Sequence, residues 1–262
     1  MASPAATPAV DPIGVAGSVE GLASIVAERV EDALAFRLKD EWVTMAHLAL
    51  SGGIVTDAVI EAIADKTTHR IDWTKVHVWW TDERYLVDGH TGRHETKVRA
   101  AGLARIGIPE PHIHAVPGPK GDEERPDRAA EEYARTLRKF APHRKAAPLF
   151  DLTLLEVAAT GEVAGLYPDH SALRATEPVV PLWDAPRPCP LQVTLAPDVL
   201  NKSVRVWKLA AGADRAVAVG RAILGEEGRP PPPAALIRGG FETQWWLEEK
   251  AARAIPAEVR GV

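Results

Sequence analysis

The sequence predicts one α/β domain built on a doubly wound, mainly parallel sheet flanked by helices. Two observations carry that prediction. Short apolar runs end in glycine or in charged clusters, and the intervening segments repeat their apolar residues at helical spacing. The runs are also apolar at successive positions, as expected of strands covered by helices on both faces. A length of 262 residues with 46% hydrophobic and 26% charged side chains suffices for one such core.

Residues 1–17, rich in Ala, Pro and Gly, lack periodicity and read as a mobile tail, which leaves residues 18–262 as the domain. Ser18 is the expected N-cap of a first helix, where Val19, Leu22, Ile25, Val26, Val30, Leu34 and Leu38 recur at helical spacing. WVTMAHLAL follows as a strand, closed by Ser51-Gly52-Gly53, and residues 55–66 predict a helix capped by Thr56 or Asp57. VHVWW (76–80) is a second strand and runs directly into Thr81-Asp82-Glu83-Arg84. Residues 92–107 and 127–141 predict two further helices, joined by a polar, turn-rich loop. Residues 149–158 form the third strand, ending in Ala159-Thr160-Gly161, and residues 203–212 the fourth, before a helix over 213–224. Pro230–Pro233 marks a stiff loop, and residues 241–249 read as a late strand ahead of a terminal helix.

Composition excludes several classes of function. A formal charge of -5 and a pI near 6.0 leave no electrostatic footprint for nucleic acid. No stretch approaches eighteen apolar residues, so no membrane span is expected. The N-terminal segment has neither a basic nor an apolar signal region, and a reducing cytosol is the expected compartment. Cys189 is the only cysteine, which excludes an internal disulfide, and between Pro188 and Pro190 it reads as inert. The nine histidines form no metal-ligand pattern, and His112 and His114 read as satisfied or solvent-facing loop residues. Neither a G-x-S-x-G elbow nor an internal repeat is present, and the eight tryptophans read as core rather than as a stacking platform.

In doubly wound sheets ligands bind beyond the carboxyl ends of the strands, which directs attention to residues 51–55, 81–85, 156–165 and 210–215. Ser51-Gly52-Gly53 before a helix suits an anion such as phosphate, or is simply a tight turn. Asp82-Glu83-Arg84 is either a solvated turn or the wall of a cleft. Arg84 can form a fork with phosphate or carboxylate, or pair with a neighbouring acid.

Taken together, LALSGGIVTDAVIEAI, WTKVHVWWTDERYLVDGHTGRH, FDLTLLEVAATGEVAGLYPDHSAL and PLQVTLAPDVLNKSVRVWKLAAGADRAVAV resemble the 6-phosphogluconolactonase family, within the glucosamine-6-phosphate isomerase-like folds. The resemblance runs from about residue 18 to the C-terminus. It implies a cytosolic enzyme that hydrolyses a phosphosugar δ-lactone without metal or organic cofactor. It associates Ser51, Gly52, Gly53 and Arg84 with the phosphate end of the substrate. It also associates the chemistry with a Gly-x-Gly-x-Asp-Gly-His motif whose histidine activates water. Here that motif is altered: its two leading glycines become Glu156 and Ala158, its aspartate Thr160 and its histidine Glu162. His94 replaces an asparagine, Gln192 an arginine and Arg215 a lysine.

A histidine near neutral pKa both takes and returns a proton, whereas an ordinary glutamate, with a pKa of about 4.3, is the weaker base. The expected function is therefore a lactonase in which Glu162 activates the water. The alternatives are an isomerase or dehydratase on a sugar or amino-sugar derivative, using Asp82, Glu156 or Glu162 as its acid/base pair, or a non-catalytic sugar-binding protein. Glu156 and Glu162 add negative charge and Gln192 removes a cation, so a site repurposed for a less anionic or a cationic ligand, or one without catalysis, is expected. Arg215, His94 and Arg84 remain candidate substrate contacts. Structural readings stand beside these: Glu162 as a solvated acid at a helix start, Glu156 paired with Arg84 or Arg215 to close an emptied phosphate site, and His94 hydrogen-bonded to the Asp82 loop. The expected partner is a small sugar or sugar phosphate, and a monomer is expected over a homodimer.

Overall fold

The structure is a computed structural model and describes residues 11–121, 125–186 and 188–261. In chain order its strands are β1 (Ile13–Ala16), β2 (Ala46–Leu50), β3 (Val76–Trp80), β4 (Asp82–Arg84) and β5 (Ile113–His114). They continue with β6 (Leu152–Glu156), β7 (Val179–Leu182), β8 (Gln192–Leu195), β9 (Arg205–Ala210) and β10 (Glu242–Glu248). The longer helices are α1 (Val19–Leu38), α2 (Ile54–Ala64), α3 (His94–Ala101), α4 (Pro126–Lys139) and α6 (Ala216–Leu224). Single turns form α5 (Pro197–Leu200), α7 (Pro233–Leu236) and α8 (Ala257–Arg260).

Seven strands pair in the order β1-β10-β9-β6-β2-β3-β5, every neighbour parallel. Continuous burial along β2, β3 and β6 follows from runs such as VHVWW and LTLLE, in which both faces are apolar. The side chains of Ser18 and Arg37 bracket α1: Ser18 accepts the Gly21 N–H at the first turn, and Arg37 pairs with Asp151 near the last. Trp79, Trp80 and Trp245 are buried in the core, as expected, whereas Trp42 is 93% exposed.

Four features depart from the sequence expectations. The tail is shorter than residues 1–17, because Ile13–Ala16 adds a parallel edge strand to β10; residues 1–10 lie outside the described chain. Neither Thr56 nor Asp57 caps α2, since the helix already begins at Ile54 with Gly53 as its N-cap. The terminal helix is a single turn. Finally, β4, β8 and β7 form a separate antiparallel sheet, joined to the main one through Thr81. The Thr81 N–H donates to Leu50 O of β2 while its carbonyl accepts from the Leu195 N–H of β8. The DER segment is therefore a strand rather than a solvated turn.

His114 belongs to β5 and is buried, with its Nε2 2.8 Å from Nδ1 of His77. His47 stacks on His77, and His112 lies 4.3 Å from it between ring centroids, so the histidines form a packed row along strands β2, β3 and β5. Among the described residues, no helix is long and apolar enough to cross a membrane.

Candidate active site

The chain winds outward from β2 through β3 to β5, and in the other direction from β6 through β9 to β10. The switch point therefore lies between β2 and β6, where adjacent crossovers leave a crevice at the carboxyl ends. A cavity of about 220 Å³ opens there. All nine residues singled out from the sequence line it: Ser51, Gly52, Gly53, Asp82, Arg84, His94, Glu156, Glu162 and Arg215. Residues up to 164 positions apart in the chain meet because all but His94, at the start of α3, lie at or just beyond the carboxyl end of a strand of the main sheet.

Ser51 holds the two central strands together. Its N–H donates to Leu154 O at 2.9 Å, and its Oγ accepts the Glu156 N–H at 2.7 Å. That places the Glu156 side chain over the glycine turn. Its Oε1 accepts the Ile54 N–H at 3.0 Å, and its Oε2 accepts those of Val55 at 2.9 Å and Thr56 at 3.2 Å. A helix leaves its first N–H groups without intrahelical partners, and here a carboxylate from β6 takes three of them. Glycine at position 53 is required twice over. Its φ is +149°, and an added Cβ would lie 2.1 Å from Glu156 Cδ. Burial pushes the Glu156 carboxyl up to about 7, against the three N–H donors and the Arg215 charge, which favour ionisation. Glu156 thus binds backbone, and Arg215 acts on it only through its field. Arg215 itself donates from Nη1 to Ala211 O and to Asp214, while its Nε is buried without a hydrogen-bond partner among the described residues.

On the opposite wall, Asp82 and Arg84 project from β4. Asp82 accepts from Thr81 Oγ1 at 3.0 Å and lies 3.4 Å from His94 Nε2. Burial disfavours charge on His94, but Asp82 and Glu83 outweigh it and raise the imidazole above its ordinary value. The imidazole packs against Gly52, where a Cβ would lie 1.6 Å from Nδ1. Arg84 donates from Nη1 to Gly92 O at 2.6 Å, which fixes its loop. Glu83 points away from the cleft and caps α3, accepting the N–H groups of Arg84, His94 and Glu95 at 2.8–2.9 Å.

The segment after β6 forms the floor. Ala164 (φ +51°) and Gly165 (φ +63°) reverse the chain in a tight turn between Val163 and Leu166. Thr194 Oγ1 hydrogen-bonds Ala164 O and anchors that turn to β8. Glu162 enters the cleft half-buried, on a loop and not at a helix start, so the solvated helix-terminal reading does not hold. Burial raises its carboxyl, Asp82 adds to the rise, and Arg215 opposes it.

Three further polar side chains line the cleft. Lys97 lies one turn after His94 on α3, a spacing that the sequence contained. Tyr167 donates to Gln192 Oε1 at 3.1 Å, and Gln192 Nε2 donates to Cys189 O at 2.8 Å. Gln192 therefore holds the wall of the cleft in place where the resemblance implied an arginine. Among the described residues, no group of three or more His, Cys, Asp or Glu is arranged to hold a metal ion.

A family model described as glucosamine-6-phosphate isomerases/6-phosphogluconolactonase matches residues 17–246. The 6-phosphogluconolactonase of Streptomyces coelicolor is 35% identical over 218 residues, covering 80% of this chain and 82% of the relative. That of Mycobacterium tuberculosis is 33% identical over 214 residues, covering 81% and 86%. Among solved structures, a devB protein superposes with a TM-score of 0.80 at 26% identity, covering 94% of this chain and 99% of its own. The 6-phosphogluconolactonase of Thermotoga maritima superposes with a TM-score of 0.78 at 22% identity, covering 91% and 100%, and shares the fold. With both the fold and the sequence in agreement over most of its length, this chain belongs to the glucosamine-6-phosphate isomerase/6-phosphogluconolactonase family.

Proposed function

We propose that this protein hydrolyses a sugar δ-lactone, with Glu162 as the general base. The observation that carries the reading is a half-buried carboxylate in the cleft whose basicity is raised by burial and by Asp82. A carboxylate so perturbed is a better base than a free one and, once protonated, a competent acid. Kinship with the lactonases of Streptomyces coelicolor and Mycobacterium tuberculosis supports the reaction class.

In this reading Glu162 takes a proton from a water as its oxygen attacks the lactone carbonyl carbon. The tetrahedral oxyanion develops in a cleft that also contains Arg84, Arg215 and Lys97, whose positive charge favours it. Collapse breaks the bond between that carbon and the ring oxygen. Protonated Glu162 returns the proton to the ring oxygen, releasing an open-chain hydroxy acid. His94 is held toward its protonated form by Asp82 and acts as a hydrogen-bond donor, not as the base.

The test is hydrolysis of glucono-δ-lactone and of its 6-phosphate, each corrected for spontaneous opening. Glu162→Gln is expected to lower kcat by roughly 10²–10⁴-fold with little change in KM. The wild-type rate should rise with pH as Glu162 ionises, on a limb placed above the ordinary carboxylate range. A wild-type chain that accelerates neither lactone refutes the proposal, as does a Glu162→Gln variant with undiminished kcat.

A further inference from the structure

The lactonase reading leaves open which lactones fit, and the α2 terminus bears on that choice. We propose that Glu156 is a built-in occupant of the anion position at the N-terminus of α2, so that the cleft selects a sugar lactone without a phosphate group. For the name of the substrate this rests on the lactonase reading; the exclusion of phosphate stands on geometry alone.

A glycine turn leading into a helix is where a phosphate oxygen finds several N–H groups at once. In this cleft those groups are already engaged. Both oxygens of Glu156 accept from Ile54, Val55 and Thr56 at 2.9–3.2 Å. The approach is also closed sterically. The atoms nearest to a Cβ built on Gly53 are those of the Glu156 carboxylate, at 2.1–2.6 Å, and those nearest to one on Gly52 belong to His94, at 1.6–2.4 Å. The space that glycine leaves free for a ligand is thus filled from within the chain. Phosphate at this position would have to displace Glu156 and leave a buried carboxylate without its donors, or else lie against it at like charge.

The arginines elsewhere in the cleft are partly committed within the chain. Arg84 Nη1 is bonded to Gly92 O, and Arg215 Nη1 to Ala211 O and Asp214. Three carboxylates, Asp82, Glu156 and Glu162, face three cations, Arg84, Lys97 and Arg215. Such a cleft suits a neutral polyol lactone, whose hydroxyl groups use the acceptors of Asp82 and Glu162 and the guanidinium donors, while the Glu156 oxygens stay with the backbone.

The decisive comparison uses calorimetric titration of the full chain with inorganic phosphate, gluconate and 6-phosphogluconate, for the wild type and Glu156→Gly. The wild type should bind gluconate and 6-phosphogluconate within about threefold of each other and should not bind phosphate, since a factor of ten would already signal about 1.4 kcal/mol of phosphate recognition. Glu156→Gly should tighten phosphate and 6-phosphogluconate by about tenfold or more while leaving gluconate unchanged. In turnover the wild type should favour glucono-δ-lactone, and the variant should shift the kcat/KM ratio toward the 6-phosphate. Wild-type preference for 6-phosphogluconate over gluconate by tenfold or more overturns the proposal, and so does a folded variant that gains no phosphate affinity. If Glu156→Gly does not fold, Glu156→Ala takes its place, and the wild-type comparison decides by itself. Turnover of neither lactone would refute the lactonase reading alone, because the binding data judge phosphate exclusion independently.

Discussion

Lys208 offers a perturbation whose size and pH dependence both follow from the structure. It lies in the middle of β9, between Leu155 of β6 and Trp245 of β10, and is fully buried. Its Nζ sits 4.6 Å from the Trp245 ring centroid and has no hydrogen-bond partner among the described residues. Burial pushes its amine down to about 7 from an ordinary 10.5; Asp11 opposes the fall and Arg238 adds to it. At about 1.4 kcal/mol per pH unit, that interval corresponds to roughly 5 kcal/mol held against the folded state. Below about pH 7 the amine is charged in both states and the whole cost is present. Between about 7 and 10.5 the folded chain has released the proton while the unfolded chain retains it, so wild-type stability climbs with pH. Lys208→Met keeps the length of the side chain and removes the charge. Urea unfolding should show the variant more stable by roughly 3–5 kcal/mol at pH 6, and by only about 2 kcal/mol at pH 9. A gain independent of pH, or a loss of stability at pH 6, would show that the amine is not buried as described.

Glu83 should prove structural: Glu83→Ala removes the acceptor of two N–H groups at the start of α3 and of the Arg84 N–H, and is expected to lower stability by about 2–3 kcal/mol in thermal unfolding. A loss below about 0.5 kcal/mol would mean that water replaces it without cost. The histidine row should make the fold acid-labile. Burial holds His47 and His77 at about 4 and His114 at about 3, so the unfolded chain takes up protons from about pH 6.5 downward before the folded chain does. The contribution of the row to stability is therefore full above pH 6.5 and declines as pH falls toward 4. His114→Phe should flatten that decline by about 1.4 kcal/mol per pH unit, and an unchanged slope in acid unfolding would count against the row as its source.

What was legible in the sequence, and what was not, divides along physical lines. The strands of the parallel sheet announce themselves because burial on both faces demands uninterrupted apolar runs, as in VHVWW. Ile13–Ala16 escaped because an edge strand of four residues in a Pro/Gly-rich segment has no such run. The antiparallel sheet escaped for a related reason: Asp82–Arg84 is three charged residues, and its strand character comes from pairing with Gln192–Thr194, more than a hundred positions away. Eight of the nine site residues were found because they lie in segments that follow a strand, a rule of topology that local sequence expresses, whereas His94 was reached through the family resemblance. Their partners were not. Nothing near Glu156 in the chain indicates that its acceptors would meet the N–H groups of residues 54–56, and the expected pairing with Arg84 or Arg215 gave way to backbone. Lys97 was within reach of sequence reasoning, one helical turn from His94, while Tyr167 required knowledge of the turn at Ala164-Gly165.

The same device occurs twice in this fold, with different consequences. Glu83 and Glu156 are both glutamates at or beside a strand end, each accepting N–H groups at the start of a helix, 11–12 positions away for Glu83 and 101–102 for Glu156. Burial raises both carboxyls, so in each case donors and desolvation oppose one another. Glu83 is 1% exposed and faces only protein, where the capping of α3 exhausts its role. Glu156 makes equivalent bonds at the wall of an open cavity, so whatever it occupies is withheld from a ligand. A helix terminus without a side chain there would present free donors to an anionic group; with one, it presents a closed surface. On the proposal made above, a single glycine-to-glutamate difference at position 156 from the motif that the resemblance implies changes which substrates the cleft admits without moving any strand. Specificity then shifts by filling the anion position from inside while the sheet, the glycine turn and the cationic walls remain.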